Sequence, residues 1–166
     1  PGREAPEFLP EGLCRKIQEN HRAMMRLRDI RDYVASLGIA ADDNCYCGQL
    51  DAKREKSIGT YPLKNRQQGN IPIGGMENSS YGVKSISFLI HWNRSPTESE
   101  DAANALQEAL LSCRDKTVNG QTVKFMVVTY DEPIPVGTDE NGIHEYVIEC
   151  LVYYAHGRPN EVCQRN

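Results

Sequence analysis

The chain of 166 residues is 39% hydrophobic and 25% charged, which is typical of one ordinary globular domain. Its formal net charge of -4 does not favour nucleic acid, so we expect no sequence-specific nucleic-acid partner. No apolar run approaches the roughly 20 residues that a membrane-spanning helix needs, so no membrane partner is expected either. The stretch PGREAPEFLP has no apolar core and is not expected to be a secretory signal.

A helix is predicted over residues 11–37, because apolar residues recur there mostly at spacings of three and four. They are Leu13, Ile17, Met24, Leu27, Ile30, Val34 and Leu37. Gly38 is a natural residue to end the helix. The opposite face is basic and carries Arg15, Lys16, Arg22, Arg26, Arg28 and Arg31. This basic face could bind an acidic partner, but a solvated face with local ion pairs is the favoured interpretation.

Three strands are predicted next, over Cys45–Leu50, Lys56–Leu63 and Val83–Trp92. Pro62 indicates an edge or an exit from the sheet. The third segment alternates strictly, which predicts a half-buried strand. One face carries Ile86, Phe88, Ile90 and Trp92, and the other carries Ser85, Ser87, Leu89 and His91.

A long polar loop is predicted between Lys64 and Tyr81. A loop of this length is usually functional or disordered, and we expect it to be mobile in the free subunit and ordered on assembly. Its apolar residues have no periodic partner, so contact with a neighbouring protein and packing on the same subunit are equally open. The candidate oligomer interface comprises Ile71, Ile73, Gly74, Gly75, Met76 and Tyr81.

A second helix begins after Ser95-Pro96-Thr97-Glu98, which combines an N-cap, a first-turn proline and the glutamate of a capping box. Its predicted buried face carries Ala103, Leu106, Leu110 and Cys113. Asn119-Gly120 predicts a type I′ hairpin turn, and a second turn is predicted over residues 139–142. The strand that follows, Ile143–Tyr154, is apolar on both faces, which predicts a central strand covered on both sides.

These elements predict an α+β domain with two main helices packed on a largely antiparallel sheet. The domain is expected to span residues 11–156, between a flexible N-terminal segment, 1–10, and a flexible tail, 157–166.

A thiol or metal site is the chemical alternative. The pair Cys45-x-Cys47 could join His91 or His144 around zinc, but structural zinc usually requires wider cysteine spacing. A Cys–His nucleophile would need the same residues to be adjacent. Gly74-Gly75 lacks the remainder of any phosphate-binding motif. We therefore expect reduced cysteines, no metal, no cofactor and no catalytic residue.

The order and texture of these segments resemble the minor capsid and tail-terminator proteins of long-tailed bacteriophages. The resemblance covers roughly Met24–Tyr154. It is carried by Leu27–Leu37, Ile71-Pro72-Ile73-Gly74-Gly75, Tyr81-Gly82-Val83-Lys84, His91-Trp92 and Glu145–Tyr154.

The resemblance implies a small subunit that forms a ring, often a hexamer, which caps the tail tube and joins it to the head. Its partners would be copies of itself, tail-tube proteins and head–tail connector proteins. It would reside at the head–tail junction of the virion, and in the host cytoplasm before assembly. The first alternative is a small adaptor that recruits a partner through the basic helix face, and the second is a thiol or metal-dependent enzyme.

Overall fold

A computed structural model of the chain describes residues 24–64, 73, 75 and 79–156, which form two helices and seven strands. In chain order they are α1 (Leu27–Ser36), β1 (Cys45–Cys47), β2 (Ser57–Pro62), β3 (Tyr81–His91), α2 (Pro96–Leu111), β4 (Arg114–Val118), β5 (Gln121–Val128), β6 (Ile134–Thr138) and β7 (His144–Ala155). The predicted α+β fold is confirmed. The segments 1–10 and 157–166 that were predicted to be flexible lie outside the described residues.

The seven strands form one sheet in the order β1-β2-β3-β7-β5-β4, with β6 paired to β7. Every pairing is antiparallel except that of β1 with β2. Pro62 pairs with Ile86, beyond the point where β1 ends opposite Thr60, so its missing N–H costs the sheet no hydrogen bond.

The long pairing of β3 with β7 lies at the centre of the sheet and runs from Tyr81↔Ala155 to His91↔Glu145. As the alternation predicts, Ile86, Phe88 and Ile90 are fully buried beneath the helices. We call this side of the sheet the covered face and the opposite side the outer face.

The central position predicted for the last strand is confirmed, because β7 lies between β3 on one edge and β5 and β6 on the other. Its covered face is buried at Ile148, Cys150 and Val152. The outer face of β7 is covered only in part by the described residues. Leu151 is buried there, whereas Val147 and Tyr153 are half-buried, and no described helix packs on that side.

Helix α2 lies across β3, β5 and β7, and its four predicted core residues are buried as expected. Ser95 caps it by accepting the Glu98 N–H at 3.4 Å. The reciprocal half of the predicted capping box is replaced by Asn93, which accepts the Ser95 N–H at 3.0 Å and donates its amide to Glu98.

Helix α1 begins at Leu27, so the predicted continuous helix over 11–37 is wrong at residues 24–26; residues 11–23 are not described. Arg26 is extended, and its N–H donates to the Asp29 carboxylate at 2.8 Å. Met24 is therefore exposed, and Met25 is buried in the position that the helical pattern assigned to Met24. Ile30 and Val34 are buried as predicted, and Gly38 follows the helix with a φ of 72°.

Helix α1 connects the two ends of the sheet, because it contacts β1 and β2 on one side and β4 on the other. On the β1 side, the Arg31 guanidinium donates to the Cys45 carbonyl at 2.7 Å. On the β4 side, the Asn119 amide donates to Asp29 at 3.1 Å and to Asp32 at 2.8 Å. The sheet must curl around the core for one short helix to make both sets of contacts.

Asn119 also forms the β4–β5 turn, where Asn119 and Gly120 both have positive φ, as a type I′ turn requires. The Asn119 backbone therefore forms the turn, while its side chain connects the turn to α1.

Replacing Asn119 by Gly should keep the turn but remove the link to α1. Hydrogen bonds to charged groups contribute about 1.5–3 kcal/mol, so we expect a loss of about 1–3 kcal/mol in the free energy of unfolding, measured by urea titration. Asn119→Asp, which also tolerates the turn, should be more destabilising because it brings a third carboxylate to Asp29 and Asp32. Unchanged stability in both variants would refute the link.

This link should also depend on pH. The Asn119 hydrogen bond is the main cause that lowers the pKa of Asp32; burial opposes it and Arg31 adds to it. A lowered folded-state pKa gives stability that is complete above the ordinary Asp value of about 4 and is lost as the pH falls through the folded-state pKa. The stability difference between wild type and Asn119→Gly should therefore be greatest at neutral pH and shrink in acid. A difference that stays constant with pH would contradict this assignment.

Candidate assembly surface

Three parts of the chain converge at the Tyr81 end of the β3–β7 pair. The His156 N–H donates to the Ser80 carbonyl at 3.0 Å, so the chain leaves the sheet beside the start of β3. The Leu63 N–H donates to the Ser85 carbonyl at 3.1 Å, which brings the end of β2 alongside. The backbone of Met25 is hydrogen-bonded to the Tyr154 side chain at the same end. Residues 1–23, 65–78 and 157–166 therefore all connect to the domain here.

Tyr154 holds this end of the sheet together. Its ring lies across Gly82, the residue it pairs with, so closely that an added Cβ would collide with the ring. The ring also packs edge-on against His156 at 5.4 Å between centroids. Burial raises the pKa of Tyr154, and the Met25 backbone hydrogen bond partly offsets this. The phenol therefore stays neutral, and Gly82 is required by space and not by backbone conformation.

Of the predicted interface residues, the structure describes Ile73, Gly75 and Tyr81, and Tyr81 lies at this end. Ile73 is fully exposed. Gly75 is half-buried with a φ of 94°, and Tyr81 is the half-buried first residue of β3. Ile71, Gly74 and Met76 lie outside the described residues, as does most of the predicted mobile loop.

An aromatic cluster on the outer face was not predicted from the sequence. Phe125 stacks on Tyr153 with ring centroids 4.5 Å apart, and Tyr153 lies 6.0 Å from Tyr81. Val127 and Leu151 pair with each other next to these rings. We call these five residues the aromatic patch: Tyr81, Phe125, Val127, Leu151 and Tyr153. Alternation in β5 and β7 could have suggested its members, but only the sheet order brings three strands together.

Phe125 and Val127 are 38% and 43% exposed, which is high for large apolar side chains two positions apart on one strand. Aromatic residues are enriched at protein interfaces, and contiguous exposed apolar surface is typical of them. The arrangement of the described residues therefore supports contact with another protein more than it supports chemistry.

The thiol and metal alternatives gain no support from the geometry. Cys45 is buried but Cys47 is exposed, because β1 ends at Cys47, at the margin of the sheet. Cys45 pairs with Ile58, whereas His91 pairs with Ser57, so strand alternation places them on opposite faces. Within the described ranges, no three His, Cys, Asp or Glu side chains cluster as a metal site requires.

The buried thiols are also poor nucleophiles. Burial raises the pKa of Cys45, and it raises the pKa of Cys150 to about 12, with Cys113 adding to the effect. Cys113 and Cys150 are free and buried; Cys150 lies in β7, whereas Cys113, predicted on the buried face of the helix, lies two residues beyond the end of α2. Cys14 and Cys163 lie outside the described residues.

His91 lies at the end of the β3–β7 pair that is opposite Tyr81, where its contacts are structural. It is fully buried, and its Nδ1 lies 2.9 Å from Glu145 Oε1, while its Nε2 lies 4.0 Å from Asp139 Oδ2. Asp139 itself accepts the N–H groups of Asn141 at 2.9 Å and Ile143 at 2.8 Å. The bond from Ile143 is the main reason why the pKa of Asp139 is lowered. These contacts close the β6–β7 turn onto β3.

The basic helix face is partly used within the subunit. Arg28 is exposed and lies 3.8 Å from Asp32, which fits the favoured interpretation of local ion pairs. Arg31 is occupied by the Cys45 carbonyl and by Asp32 and Asp42, at 3.1 Å and 2.7 Å. Arg31 is therefore already bound within the subunit and does not contribute to a basic docking surface on α1. No described helix is long and apolar enough to cross a membrane.

The described residues form a small α+β domain with an exposed aromatic patch, a surface of the kind that contacts other proteins. A model of the bacteriophage tail terminator protein family matches residues 33–154, nearly the whole described domain. The chain belongs to this family, and it is a phage structural protein of the tail. A search of curated proteins finds no significant match.

Replacing Gly82 by Ala should disturb the convergence point, because the new Cβ would collide with the buried Tyr154 ring. Overpacking of this kind costs about 1–3 kcal/mol, which thermal unfolding would measure. Ser80→Ala, an exposed neighbour two residues away, should leave the melting temperature unchanged. Equal melting temperatures for the two variants would show that the ring moves aside freely.

Proposed function

We propose that this chain forms a ring at the end of the phage tail, where it terminates the tube and joins it to the head. Membership of the tail terminator family supports the tail location and carries the proposal. The exposed aromatic patch supports self-association, because a subunit that stayed alone would leave this apolar surface in water.

The proposed role is not enzymatic. The subunit acts by presenting surfaces to copies of itself, to tail-tube proteins and to head–tail connector proteins. Two features of the described residues support this: the exposed Ile73, and the convergence of three chain segments beside the aromatic patch. Contacts made there leave the core beneath the covered face undisturbed.

Deleting the gene from a phage or prophage that encodes this chain should yield tails of abnormal length that fail to join heads, as electron microscopy would measure. Supplying the wild-type chain in trans should restore both properties. Tails of normal length that join heads without the chain would overturn the proposal.

Replacing Ile71 and Ile73 by Ser should weaken ring or tail assembly while the isolated subunit keeps near-wild-type stability. The exposure of Ile73 motivates this, since an exposed side chain contributes little to folding. Thermal unfolding and electron microscopy of tails would measure the two effects. Leu111→Ser, an exposed apolar residue at the end of α2, is the matched control and should assemble normally.

Unfolding of the Ile71/Ile73 variant as a monomer would make those residues core and would refute the interface assignment. Normal termination of tails by the folded variant would remove any assembly role for them.

A further inference from the structure

The aromatic patch forms a continuous surface across three strands. Tyr81 lies on β3, Leu151 and Tyr153 on β7, and Phe125 and Val127 on β5, and all five share the outer face. Leu151 is almost buried by its neighbours, whereas Phe125 and Val127 remain over a third exposed. The patch is therefore a formed apolar platform that lacks a cover among the described residues.

One chain segment has the chemistry to cover it. Residues 67–76 carry no charged side chain and include the apolar run Ile71-Pro72-Ile73, followed by Gly74-Gly75 and Met76. The segment 65–78 joins the domain directly beside Tyr81. Its fourteen residues, doubled back on themselves, can reach about 23 Å, which is far enough to extend past the subunit to a neighbour.

The exposure of Ile73 decides whether the segment covers its own patch or that of another copy. At 110% relative exposure, the Ile73 side chain makes no packing contact with its own subunit. An unused apolar side chain and an unused apolar platform thus occur on the same molecule. When two different surfaces of identical subunits bind each other, the contact is head-to-tail, and its repetition gives a ring where the rotation between subunits closes.

We infer that the aromatic patch of one subunit binds the segment 65–78 of a second copy of this chain, with Ile73 seated near Val127 and Phe125. The inference rests on the proposed ring and assigns its subunit contact. Each copy gives one segment and receives one, so every patch in a closed ring is covered.

Photocrosslinking in assembled tails tests the inference directly. A photoreactive phenylalanine derivative at position 127 should give a two-copy product on a denaturing gel, and mass spectrometry should locate the link within residues 65–78. The matched control is the same group at Glu108, which is exposed on α2 on the other side of the sheet. The control position should give no such product. In the Ile73→Ser background, the product from position 127 should be lost or strongly reduced.

Every other result overturns the inference. A link within one chain would show that the segment covers its own patch. A link to a different protein would show that another tail component covers the patch. A two-copy link outside 65–78 would show that a different segment of the second copy binds it. Absence of any product would show that the patch stays uncovered in the tail.

The gene deletion separates this inference from the proposed function. Abnormal tails after deletion, together with no 65–78 link at position 127, would keep the tail-terminating role and reject this contact. Normal tails after deletion would reject the role itself. Val127→Asp provides a second reading: it should unfold at the wild-type temperature and yet lose assembly, because the residue is exposed in the subunit.

Discussion

The pairing of β3 with β7 is the constraint on which the rest of the structure depends. β2, β5 and β6 pair directly with it, β1 and β4 extend the sheet from β2 and β5, and α2 packs against the face that it makes apolar. Side chains alternate along a strand, so the register that buries Phe88 and Ile148 also directs Tyr153 outward. The core and the aromatic patch are therefore two consequences of one set of hydrogen bonds.

The sequence could predict the elements whose signals are local. Alternation from Ile86 to Trp92 gave the buried face of β3, Ser95 gave the start of α2, and Asn119-Gly120 gave a turn with two positive φ values. Each signal depends on residues within one element, where spacing alone fixes which side chains share a face. The α+β class followed from the order of these elements.

Two kinds of feature could not be predicted from periodicity. The first is the competition between local caps: Asp29 accepts the Arg26 N–H, so α1 begins at Leu27 and the periodic Met24 lies outside it. In the same way, Asn93, two residues before Ser95, takes over half of the predicted capping box. The second is contact between residues far apart in the chain. The aromatic patch needs the strand order, which brings together residues 81, 125 and 153. The predicted interface included Tyr81 but not the neighbouring rings of Phe125 and Tyr153, because it was inferred from one loop alone.

The strands β3 and β7 are far apart in the sequence, so they leave the ribosome at different times during synthesis. β3 ends at His91, but its central partner, β7, begins only at His144. Pairings between such distant segments form late in folding, and a ribosome delivers the N-terminal part first. A nascent chain lacking β7 has no complete covered face and no Tyr153 between Tyr81 and Phe125. The aromatic patch is thus completed only when β7, the last of the described strands, emerges, so a nascent chain that already carries residues 65–78 cannot yet present the patch.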